Sequence, residues 1–461
     1  MTWILAFVFI LGSAVILHEF GHFIVAKLLG IRVETFSVGF GKRIWGRRWG
    51  TTDYRLSLIP LGGYVKLGGD ESNAGLEDGG AEDIPERERF DLRPRWQKFC
   101  VGIAGPVMNI LTALAVPLGL AMIVGVAVMP PPVVKAVAPD SAAERAGVQP
   151  GDRIVSFNGD ENKDWDQIQG DALLSPDQPL PLEVERAGQR VRLTITPTRH
   201  VEGGEAIGRL GILPDYGDVP VVVTSVEKGS PADEAGIRLG DRVAEIGGEP
   251  VTSAEQVRQY IRSHTGEPIR MRLEAGGEAR EIVAQTRKLS DGTERLGFGP
   301  SEAAPVKRVG LGAALGYAVG RNLEMLRLTG KALGQVFSGQ RSVRDTFAGP
   351  IGIANASKRA AEEAGWEGVF IMLGFLSLNL GIFNLLPIPV LDGGMIFMLF
   401  LEGGLALVGM KLSMTMRERI QQVGFVFLLL LMGFVIINDV TKYAPGWFGS
   451  SDRPAAETQK K

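Results

Sequence analysis

Cysteine is almost absent from this chain: Cys100 is the only one among 461 residues, which excludes intramolecular disulfides and any zinc site built on several thiolates. Histidine is scarce too, at four residues, so a metal centre has to draw on His, Asp and Glu. There is no excess of positive charge. The formal net charge is −3, and nothing in it suggests a nucleic-acid partner. The chain also lacks a basic stretch before its first apolar run, Trp3 to Leu17, and an A-x-A-like site after it. Apolar sequence resumes at Phe23 to Leu29, so the segment is expected to remain as a span and not to be cleaved as a leader.

What is present is unevenly spread. The averages of 45% hydrophobic and 22% charged residues conceal apolar stretches at Trp3 to Leu29, Val101 to Met129, Val369 to Leu386 and Val423 to Ile437, each close to the ~20 residues that cross a bilayer. The expected fold is a multi-span α-helical membrane protein of about four transmembrane helices, with a polar block of soluble character between the second and third. The loop joining the first two spans carries Lys42, Arg43, Arg47, Arg48, Arg55, Lys66, Arg87, Arg89, Arg93, Arg95 and Lys98, which points it to the cytoplasm. The amino terminus and the block from Pro130 to Ala364 then lie outside, and Lys411, Arg417 and Arg419 return inside. Lys307, Arg308, Arg321, Arg327 and Lys331 run against that scheme.

Charged residues are costly in a span, and the first one contains His18-Glu19-Phe20-Gly21-His22. On a helix, two histidines four apart share a face, so both imidazoles can reach one Zn²⁺ while Glu19 stands beside the water to be activated. Ionisable groups inside a membrane are functional by default. A catalytic zinc usually takes three protein ligands and keeps one position open. The best third candidate is Asp392, the lone acid of Asn384-Leu-Leu-Pro387-Ile-Pro389-Val-Leu-Asp392-Gly-Gly. Pro387 and Pro389 break the helix there and free backbone groups, which burial in a membrane tolerates only beside protein or a water-filled cavity. A helix-end acid at the inner surface is the alternative for Asp392.

The outer block repeats itself. Ser141-Ala-Ala-Glu-Arg-Ala-Gly147 through Gly151-Asp152-Arg153 aligns without gaps with Ser230-Pro-Ala-Asp-Glu-Ala-Gly236 through Gly240-Asp241-Arg242. That period is a whole domain rather than a solenoid unit. Each copy reads as a β-run (Val133 to Val137; Val221 to Val226), a short helix ending at glycine, a Gly-Asp turn and another strand, a pattern that resembles a tandem pair of α+β PDZ domains. Such domains accept peptide C-termini or extended peptides as an added strand; the alternative is that they only cover the membrane part. His200 and His264, in this block, read as ordinary surface or loop histidines.

With HEFGH in the first span, the PDZ-like pair and NLLPIPVLDGG in the third, nearly the whole chain resembles the site-2 protease family, and within it the sigma-E-regulating branch. The resemblance implies Zn²⁺ held by His18, His22 and Asp392, with Glu19 as general base and Asn384 helping to hold the substrate backbone near the metal. It also implies a re-entrant β-loop in Phe36-Ser-Val-Gly-Phe-Gly41 and Tyr54 to Tyr64-Val65, whose edge pairs with unwound substrate, so that Gly41, Tyr64, Pro387 and Pro389 become candidate substrate-contacting positions. A plain cytoplasmic hairpin is the other reading of that loop. Ala104-Gly-Pro-Val-Met-Asn109 matches the family's second-span motif, and its small residues favour a role in close helix packing.

The chain then divides into an N-terminal membrane part (1–129), PDZ-like domains (130–215 and 216–304), an amphipathic helical segment on the outer face of the lipid (305–364), a C-terminal membrane part (365–440) and a polar tail (441–461). The expected activity is zinc-dependent cleavage of single-span membrane proteins, anti-sigma-factor-like proteins or signal-peptide remnants, near the cytoplasmic face of a bacterial inner membrane. In this reading the PDZ pair lies in the periplasm and filters substrates by size, in service of an envelope stress response. Two other classes stay open at this point: a non-catalytic PDZ scaffold with a structural zinc, and a metal transporter, for which one HExxH and one intramembrane acid make a sparse ion path.

Overall fold

The computed structural model describes residues 2–443 apart from 70–83, 129, 203–204, 218, 276, 289–293 and 411–412; most of the tail expected at 441–461 lies outside the described residues. Among the described residues six helices are long: α1 (Thr2–Leu28), α2 (Arg95–Ile123), α3 (Leu311–Phe337), α4 (Pro350–Asn384, broken by a kink at Gly365, φ 57°), α5 (Asp392–Leu407) and α6 (Met414–Tyr443). Among the described residues, four segments are long and apolar enough to cross a membrane: Ile4–Leu28, Arg95–Ile123, Ala364–Asn384 and Thr415–Tyr443.

Helix ends follow local chemistry. Gly30, at φ 68°, closes α1 in a left-handed turn: Ile31 N–H donates to Ala26 O at 2.9 Å and Gly30 N–H to Lys27 O at 3.1 Å, the paired bonds of a Schellman ending. Pro350 begins α4 at the position where a missing N–H costs nothing. The remaining amides of that first turn are held from a distant element. Asp439 of α6 accepts from Gly349 N at 2.9 Å, Ile351 N at 2.8 Å and Gly352 N at 3.0 Å, and Asn438 Nδ2 donates to the carbonyls of Arg344 and Phe347 at 3.2 Å. A buried carboxylate of α6 thus caps the first turn of α4, well before the kink at Gly365 and the apolar segment Ala364–Asn384.

Two long strands, β1 (Val33–Trp49) and β2 (Thr52–Leu67), follow α1. They bend on themselves. Phe36 faces both Val65 and Tyr54, Ser37 faces both Tyr64 and Arg55, and Trp45 faces Leu56, so the order across the sheet is 63–67, 33–38, 53–57, 43–49. Glycines make the bend. At Gly39 (φ 91°) a Cβ would stand 2.6 Å from Ile59 O, and at Gly62 (φ 151°) 2.1 Å from the Phe40 ring. The sheet packs along α1 through Phe23, whose ring centroid lies 5.3 Å from Phe36 and 5.9 Å from Tyr54, over a core of Ala26, Ile31, Val33, Val65, Leu67, Phe90 and Val101.

Beyond α2 come two β-rich units with separate cores. The first joins 160–161, 153–157, 180–186 and 189–195 in one sheet against the helix Trp165–Leu173, around Phe157, Trp165, Ile168, Leu182 and Val184. The second orders 278–285, 268–275, 242–246, 221–226 and 298–302 against the helix Ala254–Ser263, around Ile246, Val257, Ile269, Met271 and Leu273. The repeat visible in sequence reappears in the caps, where Ser141 accepts from Glu144 N and Ser230 from Asp233 N. Helix α3 then returns to the membrane part, where Asn322 Nδ2 donates to Ala113 O of α2 at 2.9 Å.

Candidate active site

The two motifs of the membrane part meet. His18 Nε2 lies 3.0 Å from Asp392 Oδ2, His22 Nε2 3.3 Å from Asp392 Oδ1, and the two Nε2 atoms are 3.3 Å apart. One ligand atom from each of the three residues falls within 4.8 Å of the others. Helix α1 supplies the imidazoles from one face. Asp392 comes from the first turn of α5, just after the irregular Leu385–Leu391 link that follows α4. The donor set fits a divalent cation. Asp392 Oδ2, although close to an imidazole, has no well-directed hydrogen bond, so lone-pair atoms are gathered about one point instead of being matched donor to acceptor.

The other sequence candidates divide into those at this point and those beside it. Asn384, the last residue of α4, brings its Nδ2 to 3.3 Å from His18 Nε2. Glu19 faces the sheet: a Cβ at Gly63 would stand 3.4 Å from Glu19 Cγ, and the Val65 backbone N–H points at the Glu19 carboxylate. Pro387 and Pro389 line an apolar groove of ≈ 480 Å³ against α6, where the missing side chain of Gly424 lets Pro389 approach; a Cβ there would stand 2.2 Å from it. Tyr64 is buried and stacks on Phe40 with ring centroids 6.2 Å apart. Gly41 sits in the bend of β1 with nothing within 4 Å of the place its Cβ would take.

Helix α2 forms the remaining wall, and sequence reading gave it too little. A Cβ at Gly105 would stand 2.3 Å from His22 Nε2 and 2.7 Å from His18 Nε2, and one at Gly21 2.3 Å from Ala104 O. The helices therefore touch backbone to backbone, as the small residues of the second-span motif imply. Packing is not their whole role. His22 Nδ1 donates to Val101 O at 2.7 Å, and Asn109, wholly buried, places its carboxamide 3.3 Å from His18 Nδ1. The signal for Asn109 was present: a carboxamide inside an apolar span needs a polar partner.

Two imidazoles and a carboxylate, walled by apolar helices with a glutamate alongside, define a metal-dependent hydrolase whose centre lies among its membrane spans. The chain belongs to peptidase family M50, whose model matches residues 6–431. It is 32% identical over 456 residues to the regulator of sigma-E protease RseP of Salmonella typhimurium, covering 95% of this chain and 98% of that protein. To its Escherichia coli counterpart it is 31% identical over 463 residues, covering 95% and 99%. A Vibrio cholerae protein named as a candidate zinc metalloprotease is 32% identical over 464 residues, 95% of this chain and 98% of that one. The protein is accordingly an intramembrane zinc protease of the site-2 type. A solved PDZ domain of an SdrC-like protein from Listeria monocytogenes matches 18% of this chain and 86% of its own at 24% identity and a TM-score of 0.16, a likeness too slight to bear on the fold.

Proposed function

We propose that His18, His22 and Asp392 hold the zinc and that the enzyme cuts single-span membrane proteins near the cytoplasmic face after their outer domains have been trimmed. The convergence of α1 and α5 on one point carries this reading. Three protein donors suit a site with an open position, where a closed structural site takes four. Zinc bound there supplies Lewis acidity, which makes water a nucleophile near neutral pH and polarises a peptide carbonyl. Glu19 takes the proton of the attacking water and passes it to the departing amine. Asn384, beside the ligand atoms, donates to the substrate backbone and fixes the scissile carbonyl.

A membrane helix hides its carbonyls in its own hydrogen bonds, so it must unwind before cleavage. The segment 63–67 is an outer strand of the sheet, paired on its described side with 33–38, and it runs beside Glu19. An unwound substrate can add to it as a further strand. The sheet follows α1 from Glu19 to Lys27, whose Nζ lies 3.3 Å from Thr51 Oγ1, a distance of ~12 Å along the helix. Exposed Phe40, Leu58 and Ile59 lie at the Glu19 end, while Trp49 and Arg48 lie at the Lys27 end. That gradient from apolar to aromatic and basic suits a loop dipping into the lipid from the cytoplasmic side. The basic loop between the first two spans then faces the cytoplasm of a bacterial inner membrane, the two PDZ-like domains face the periplasm as a size filter, and Gly41 and Tyr64 shape the bend beneath the substrate strand. The named relatives regulate sigma-E; by likeness, the substrates here are anti-sigma-type single-span proteins.

Reconstituted enzyme and a model single-span substrate, with and without a bulky outer domain, test the reading. Glu19→Gln is expected to retain zinc and lose about 10²–10⁴-fold in cleavage rate; full turnover would remove Glu19 from the mechanism. Deleting residues 130–302 is expected to bring the bulky substrate up to the rate of the trimmed one, and unchanged selectivity would end the filter.

A further inference from the structure

We infer that Asn109 is a positioning residue for the zinc: through its side-chain oxygen it holds the proton of His18 on Nδ1 and so leaves Nε2 bare for the metal. The inference rests on the assignment of His18 and His22 as ligands. An imidazole coordinates through one nitrogen only while its proton sits on the other, and the partner of that second nitrogen decides which tautomer is present. For His22 the partner is unambiguous. Its Nδ1 lies 2.7 Å from Val101 O, a carbonyl that can only accept, so a proton is on Nδ1 and the neutral ring turns the lone pair of Nε2 toward Asp392.

His18 has no carbonyl in that place. Its Nδ1 lies 3.3 Å from the Asn109 carboxamide, which offers either a donor or an acceptor depending on a half-turn about its terminal bond. With the nitrogen toward His18, the imidazole would have to accept at Nδ1 and carry its proton on Nε2, the atom 3.0 Å from Asp392 and 3.3 Å from His22 Nε2. Asn109 Oδ1 would then stay buried without any partner, a cost of about 1–3 kcal/mol. With the oxygen toward His18 both problems vanish: Oδ1 accepts from Nδ1–H, and Nε2 is freed. One helix thus sets both tautomers, with a main-chain acceptor at Val101 and a side-chain acceptor at Asn109.

The expected signature is a loss of zinc affinity that an acceptor restores and a mere space-filler does not. Purified full-length wild type, Asn109→Leu and Asn109→Asp are loaded with zinc, titrated with a chelator and checked for folding by thermal unfolding. Asn109→Leu is expected to bind zinc about 10–100-fold more weakly, while Asn109→Asp, which presents an oxygen at the same point, stays within a few-fold of wild type. Leucine binding as tightly as asparagine, or leucine and aspartate failing equally, would overturn the inference. If Asn109→Leu does not fold, nitrogen NMR of histidine-labelled, zinc-loaded wild type decides, with only four histidines to assign: a proton on His18 Nδ1 upholds the inference and one on Nε2 overturns it. Wild type that takes up no more zinc than His22→Ala would instead remove the ligand assignment beneath it.

Discussion

In the first of the two repeated β-rich units, Asp152 accepts from Arg186 Nε at 2.7 Å and from Gln149 N at 2.8 Å; in the second, Asp241 accepts from Arg280 Nη2 at 2.5 Å and from Arg238 N at 2.8 Å. The same guanidiniums reach the carbonyls of Gly147 and Gly236 at 2.8 and 2.9 Å. The two copies therefore share the bonds that close the Gly-Asp turn. They part at the seventh residue of the following helix. In the first copy it is Asp171, fully buried, paired with Lys163 of its own domain and with Arg327 and Lys331 of α3 at 3.0 and 2.8 Å. Gly170 beside it admits Leu328 of α3, and Arg321 meets Asp166 at 2.8 Å. In the second copy the seventh residue is Tyr260, stacked on His264 at 4.0 Å, and the described ion pairs, such as Arg242–Glu274 and Arg272–Glu245, stay inside the domain. The duplicated parts are those that fold each unit, and the unduplicated ones attach one unit to the membrane part. The basic residues of α3 that contradicted the orientation rule in sequence are spent on this attachment.

The difference can be broken at Asp171. Its replacement by Leu leaves buried Lys163 and the two α3 cations without their shared carboxylate, and is expected to cost about 3–5 kcal/mol. Domain-resolved hydrogen exchange should show the first copy and α3 loosening while the second keeps its protection; equal loss in both would erase the contrast. Asp152→Asn and Asp241→Asn sharpen it from the other side. Each removes the charged partner of one turn lock, worth about 1.5–3 kcal/mol, and denaturant midpoints should fall alike in the two copies.

Acid gives a third, smaller test. Burial pushes the Asp171 carboxyl up, but Lys163, Lys331 and Arg327 outweigh it and hold the group below the ordinary carboxylate range; at Asp152, burial is likewise outweighed by Arg186 and the Gln149 N–H. Groups depressed on folding stabilise above their unfolded value of ~3.9 and lose that contribution as pH falls through the folded value. The first copy is therefore expected to hold its stability down to about pH 4 and to lose it progressively below. A midpoint indifferent to pH in that window would contradict the bonding described for Asp152 and Asp171.

The convergence of His18, His22 and Asp392 was legible because ionisable groups are conspicuous in apolar sequence: His18, Glu19 and His22 interrupt one apolar run and Asp392 another, and the structure brings the two imidazoles and the carboxylate together. Asn384 followed from the motif. The folding of β1 and β2 into four strands was not legible, since the bends depend on which carbonyls and rings crowd Gly39 and Gly62, and those contacts are set by register. The capping of α4 by Asp439 was hidden for a similar reason, because a carboxylate near the end of a span reads equally well as exposed. Asn109 stands within a packing motif, but its place beside His18 depends on how closely α2 approaches α1, which the small residues Ala104 and Gly105 suggest only in general terms.

That approach has a consequence for how the centre tolerates change. Gly105 presents bare peptide to both imidazoles, so this side of the cavity has no rotamer that can swing aside to admit a bulkier ligand or a differently sized ion. Any adjustment there has to move the whole of α2, so the room beside the two imidazoles is set by how two apolar helices are spaced.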